Sequence, residues 1–193
     1  MKITFLAISL VMFVTGCGNS TNQTHPVEQK QNPQAVPEPA PLLKNMRNRL
    51  LTSKPEDWGF NHRASKGEVW GIIMEIGYPE TLATLVSLRD GNASFYLGSG
   101  GGIIGGIGRE NVRKAAIDFV AASELHLTEM GETKSFPYPP VGRVRFYALT
   151  FKGVLSVEAE EKELIEGKHK LSRLFVAGQE VFTQLQSKPE DKK

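Results

Sequence analysis

Apolar residues recur along this chain with several distinct spacings, and each spacing predicts an element. Leu42, Leu43, Met46 and Leu50 fall at helical intervals behind Pro41. They predict an amphipathic helix over 41–51 with proline at its first position. From Glu68 to Ile76 the run EVWGIIMEI is apolar at odd and even positions alike, which suits a central strand covered on both faces. Thr81 to Leu88 places Leu82, Val86 and Leu88 on one face. Asp90-Gly91 follows, and this dipeptide predicts a tight hairpin because a type I′ turn needs positive φ. A two-residue loop there sets Leu88 opposite Ala93 and Val86 opposite Phe95.

The longest helical pattern covers 109–130, with Val112, Ala116, Phe119, Ser123, Leu127 and Met130 on one stripe. Gly131 follows where a helix-ending glycine belongs. Ser135 to Pro140 reads SFPYPP and predicts an irregular loop. Arg143–Phe151 and Val154–Glu160 predict a second hairpin around Lys152-Gly153. A two-residue loop there opposes Phe146 to Ala159 and Ala148 to Val157 on an apolar face. Arg145 then meets Glu160, and Tyr147 meets Glu158, on a solvated face. A last helix over 171–185 carries Leu171, Leu174, Phe175, Gly178, Phe182 and Leu185 on one stripe. Gly178 on that stripe predicts close approach to another backbone, since glycine inside a helix otherwise costs about 1 kcal/mol. The element order is α-β-β-β-α-β-β-α. It predicts a single α+β domain over 42–187, with a largely antiparallel sheet of about five strands and three helices. This order is loosely similar to profilin-like and roadblock-like sheets, which often serve as interaction modules, with the helix one strand late.

The first residues, MKITFLAISLVMFVTGCGNS, have a different character. Lys2 precedes an apolar run, Ile3 to Val14, that is too short to span a bilayer core of about 30 Å as a helix, so it reads as a secretory signal. Val14-Thr15-Gly16-Cys17 resembles the lipobox of bacterial lipoproteins, in which the cysteine is acylated and becomes the mature N-terminus. The resemblance implies a signal peptide over 1–16 and permanent lipid attachment at Cys17. Gly18 rather than aspartate follows, which implies the outer membrane in a host with two membranes and otherwise the outer face of the cell membrane. Cys17 is the only cysteine, so no disulfide and no thiolate chemistry is expected in the domain. Residues 17–41 are rich in Gln, Asn, Thr and Pro and read as a tether. The tail 188–193 is also polar.

Charge and candidate chemistry narrow the function. Lys plus Arg total 23 against 21 Asp plus Glu, a formal net charge of +2, too small for the dense basic face of a nucleic-acid binder. The stretch GSGGGIIGGIG over 98–108 formally contains G-x-G-x-x-G between a strand and a helix. The helix begins after the glycines, however, and the surroundings read as hairpins rather than as a βαβ unit. Ser99, Gly100, Gly101, Gly102, Ile104 and Arg109 are therefore candidate contacts for a partner or an anion. His25, His62, His126 and His169 have no metal-ligand spacing, and Leu97 stands where a nucleophile elbow around Ser99 needs glycine. Glu158 and Glu160 belong to a solvated face and Trp70 to the core, while Trp58 is expected to pack as a cap over the first helix, the alternative being an exposed anchor. No cofactor is expected. The expected function is that of a non-catalytic envelope lipoprotein, presenting an interaction domain to another envelope protein. The alternative is a small envelope hydrolase, or a small-ligand or anion-binding protein, using the loop 98–108.

Overall fold

The computed structural model describes residues 34–61, 67–105 and 108–187. The signal and lipobox, Cys17, the first part of the tether, His25, His62 and the tail 188–193 lie outside the described residues. Seven strands form one sheet in the order β4-β3-β2-β1-β6-β7-β5. They are β1 Val69–Gly77, β2 Leu82–Leu88, β3 Ala93–Leu97, β4 Gly102–Ile104, β5 Gly131–Glu132, β6 Arg143–Thr150 and β7 Gly153–Glu160. Every strand pair is antiparallel. The helices are α1 Pro41–Thr52, α2 Glu110–Glu124, α3 Glu161–Ile165 and α4 Ser172–Gln186. The mixed class and the antiparallel sheet match the expectation. Among the described residues the count is larger, with seven strands and four helices in place of about five and three. The additions are short: β4 within the glycine stretch, β5 at Gly131, and α3 directly after β7.

The sheet is covered on both faces. On one, Ile72, Met74, Phe146 and Leu85 pack with Phe119 of α2 and Leu174 of α4. On the other, Trp70, Ile73, Val86 and Tyr147 pack beneath Leu43 and Leu50 of α1. This explains why β1 is apolar at successive positions, and it is buried along its whole length. One charged residue interrupts it. Glu75 is buried and bonds Arg47 of α1, a pairing the apolar reading of this strand did not contain.

Both hairpin registers differ from expectation, the first in the length of its loop and the second, whose loop does hold two residues, in its position. The first loop holds three residues, Arg89, Asp90 and Gly91, because Leu88 N–H donates to Asn92 O at 2.8 Å. Asp90 Oδ1 accepts the Asn92 amide at 2.9 Å, and Gly91 takes φ +92°, the left-handed residue of a bulged three-residue loop. The pairs are Leu85↔Phe95 and Ser87↔Ala93. A one-residue slip reverses a strand's faces, so Phe95 joins the α4 side while Val86 stays under α1. In the second hairpin the loop is Phe151-Lys152, and the pairs are Phe146↔Val157, Ala148↔Leu155, Arg145↔Glu158 and Arg143↔Glu160. Thr150 closes that turn: its hydroxyl donates to Gly153 O at 2.7 Å and accepts the Lys152 amide at 3.1 Å. This shift is two residues, so each side chain keeps its expected face. Tyr147 is not on a solvated face, however. It is fully buried against Phe136, ring centroids 5.9 Å apart.

The long helix stops at Glu124, and Leu127–Glu129 forms a separate 3-10 turn. That turn lets Met130 enter the core, and Gly131 starts β5 opposite Ser156 instead of capping a helix. Gly178 does mark a close approach, but to side chains: an added Cβ would lie 2.8 Å from Met74 Sδ and 3.1 Å from Phe119 Cζ. Residues 34–40 run along the domain. Gln34 O accepts Val141 N–H at 2.9 Å and Ala40 N–H donates to Gly98 O at 2.8 Å, while Val36 packs on the α1-side core.

Candidate functional site

The glycine stretch is a hairpin. Leu97 N–H bonds Gly101 O and Gly100 N–H bonds Leu97 O, so the chain reverses at Gly98–Gly101 and returns as β4. Gly100 and Gly101 hold φ of +107° and +85°, which only glycine adopts freely. β4 pairs Ser94↔Ile104 and Tyr96↔Gly102 and forms one edge of the sheet. Ile104 is 71% exposed there. Ser99 lies at the turn. Its amide donates to Thr81 Oγ1 at 2.9 Å, and the Thr81 hydroxyl donates to Ser99 Oγ at 3.4 Å. Neither a histidine nor a carboxylate is bonded to it among the described residues.

Arg109 points elsewhere. Its guanidinium donates to Leu185 O at 3.1 Å, to Ser187 O at 2.7 Å and to Gln184 O. These are the carbonyls a helix end leaves free, so its charge serves the negative end of α4 rather than the glycine turn. Arg113 donates weakly to Asp90 O at 3.5 Å.

Below the hairpin the sheet and α4 leave an apolar groove of about 240 Å³. Met74, Ile76, Leu85, Phe95 and Leu97 line it from the strands, and Phe182 from α4. Phe95 is there because of the three-residue loop, and its ring meets Phe182 at a centroid distance of 4.5 Å. Tyr78 and Gln179 also contribute to the lining. The Tyr78 hydroxyl donates to Glu161 Oε1 at 3.1 Å. Burial, then the Glu161 charge and this bond, push the phenol far above its usual range. Tyr78 thus stays a neutral donor. Burial also raises the Glu161 carboxyl, opposed by the Tyr78 bond. The groove can hold an apolar group, and one of its lining residues, Tyr78, is bonded to the Glu161 carboxyl beside it.

The remaining candidates are occupied structurally. His126 Nδ1 lies 2.8 Å from Glu129 Oε2, and that bond leads the causes that lower the Glu129 carboxyl. His169 Nδ1 accepts the Leu171 amide at 3.2 Å near the start of α4. Glu158 accepts Arg143 Nε at 3.0 Å and pairs with Arg145, while Glu160 pairs with Arg143. Trp70 is buried with Nε1 donating to Thr150 O at 3.3 Å. Trp58 is half-buried, with Arg49 5.2 Å over its ring. Among the described residues no group of three His, Cys, Asp or Glu is disposed to hold a metal ion, and no helix is long and apolar enough to cross a membrane.

Sequence reading singled out Ser99 and the glycines between a strand and a helix but missed Tyr78, Gln179 and Glu161. Nothing local joins Tyr78 to a carboxylate so far along the chain. The chain matches no family model, no curated protein and no solved structure.

Proposed function

We propose that the protein is an envelope lipoprotein, anchored through acylated Cys17, whose domain binds another envelope protein and catalyses no reaction. The lipobox-like Val14-Thr15-Gly16-Cys17 supports the anchor. The observation that carries the binding reading is β4. It is a short edge strand with Ile104 largely exposed, raised on a glycine hairpin. Edge strands present unpaired backbone groups that another chain can complete. A photoreactive residue replacing Ile104 in intact cells is expected to give one discrete protein adduct. No adduct from a folded, membrane-bound protein would remove this reading. Cys17→Ser is expected to release the protein from the membrane fraction, and unchanged fractionation refutes the anchor.

The second reading, a small-ligand protein or hydrolase at 98–108, draws support from the groove rather than from the glycines. Its anion-binding form loses Arg109 to the end of α4.

A further inference from the structure

The groove beneath the glycine hairpin has a lining and a location that together select a ligand. Its walls are the aliphatic and aromatic side chains of β1, β2, β3 and α4, and no charged side chain is among them. About 240 Å³ is below the range of roughly 300–1,000 Å³ usual for pockets that enclose drug-sized molecules. A single apolar chain segment is within the size such a space can take. Met74, an unbranched and adaptable side chain, forms part of the wall against Gly178. Two polar side chains line the groove, Tyr78 and Gln179, and the Tyr78 hydroxyl bonds the Glu161 carboxyl beside it. A head group with a fixed negative charge would meet Glu161, whereas hydroxyl or amine groups would find acceptors.

The rim also lies beside the point where the chain enters the domain. Tyr78 follows Gly77, which bridges to Val141. Val141 N–H holds Gln34 O at 2.9 Å, and Glu161 N–H donates to Gly142 O at 3.0 Å. Gln34, Val141, Gly77, Tyr78 and Glu161 therefore form one contiguous corner. From Cys17 to Gln34 the chain can span at most roughly 60 Å at ~3.4 Å per residue. A lipid-anchored protein thus holds this corner at high effective concentration over its own membrane.

We propose that the groove takes one acyl chain of a lipid from the anchoring membrane, with the lipid's uncharged or amine-bearing head at the Tyr78–Glu161 pair. The membrane as the source rests on the anchoring reading above; the groove and its ligand chemistry do not.

The test uses the full-length Cys17→Ser protein, which carries no acyl group of its own, titrated in solution with monodecanoylglycerol below its critical micelle concentration. Calorimetry and native mass spectrometry are expected to show one saturable site. Gln179→Trp, which fills the groove from a half-buried lining position of α4, is expected to weaken binding at least about tenfold at unchanged melting temperature. Ala83→Met narrows the same groove from the sheet and serves if the first variant unfolds. Decanoate at neutral pH is expected to bind more weakly than the glycerol ester. Absence of binding, binding indifferent to folded variants of both kinds, or preference for decanoate overturns the proposal. If the wild-type protein proves not to be acylated while monodecanoylglycerol still binds, the anchor fails and the groove stands. A protein side chain crosslinked within the groove in cells, without lipid binding in solution, assigns the groove to a protein partner instead.

Discussion

Arg47 of α1 places its guanidinium squarely on the carboxylate of Glu75 at the centre of the sheet. Nε lies 2.6 Å from Oε1 and Nη2 2.9 Å from Oε2, with 3% and 0% of the two side chains exposed. The Thr84 hydroxyl donates to Glu75 Oε1 at 3.3 Å, and the Tyr138 ring lies 4.5 Å from the guanidinium. Burial opposes the arginine's charge, but the Glu75 bonds and charge outweigh it and hold Arg47 above its ordinary pKa. The pair is a fixed point that sets where α1 lies on the sheet.

Removing one partner strands the other charge in the core. Glu75→Leu alone is expected to cost about 3–5 kcal/mol in urea unfolding, while adding Arg47→Met should recover a large part of that loss. A double variant no more stable than the single one would contradict this account.

Two glycines admit a methyl group at different cost. An added Cβ at Gly77 would lie 2.2 Å from the backbone oxygen of Pro140, whereas at Gly178 it meets the flexible end of Met74 at 2.8 Å. Gly77→Ala is expected to destabilise by about 2 kcal/mol or more. Gly178→Ala should stay within about 1 kcal/mol of wild type, because improved helix propensity offsets the crowding. Equal losses at the two sites would sink the distinction.

Arg109 is the C-terminal cap of α4. Arg109→Met is expected to lower stability by about 1.5–3 kcal/mol, the range for hydrogen bonds to a charged group. Amide exchange should accelerate first at 184–187, at the helix end it bonds. Uniform loss of protection across α2 and α4 would point to general destabilisation instead.

The Glu161 carboxyl gives a pH dependence with a definite sign. Its folded pKa lies above the ordinary 4.5, chiefly through burial. Below the unfolded value both states are protonated and the group contributes nothing. Above the folded value the half-buried carboxylate is charged, so its cost is fully present. Glu161→Gln keeps an acceptor for Tyr78 and removes that cost. The variant is expected to gain on wild type in melting temperature as pH rises from about 4 to about 7. A gap that closes over that range would refute the assignment.

Much of this fold is legible in local pattern. β1 reads as a central strand because its apolar residues cover both faces, and α2 and α4 read from stripes three and four residues apart. The registers were not legible. Asp90-Gly91 marks a hairpin, but whether two or three residues form its loop depends on Leu88 reaching Asn92 O. The glycine stretch was legible as backbone of unusual freedom, and not as the hairpin that raises an edge strand.

What the chain determined on its own is its alternation of polar and apolar positions, its turns, and the lipobox-like N-terminus, all of which arise between residues close in sequence. Tertiary structure alone decided that Glu75 is paired by a residue 28 positions away, that Arg109 closes α4 across 76, and that Tyr78 meets Glu161 across 83. Such pairs obey no spacing rule. They form because the sheet brings distant segments into one layer, where each buried polar group needs a partner and takes the one the packed chain puts within reach.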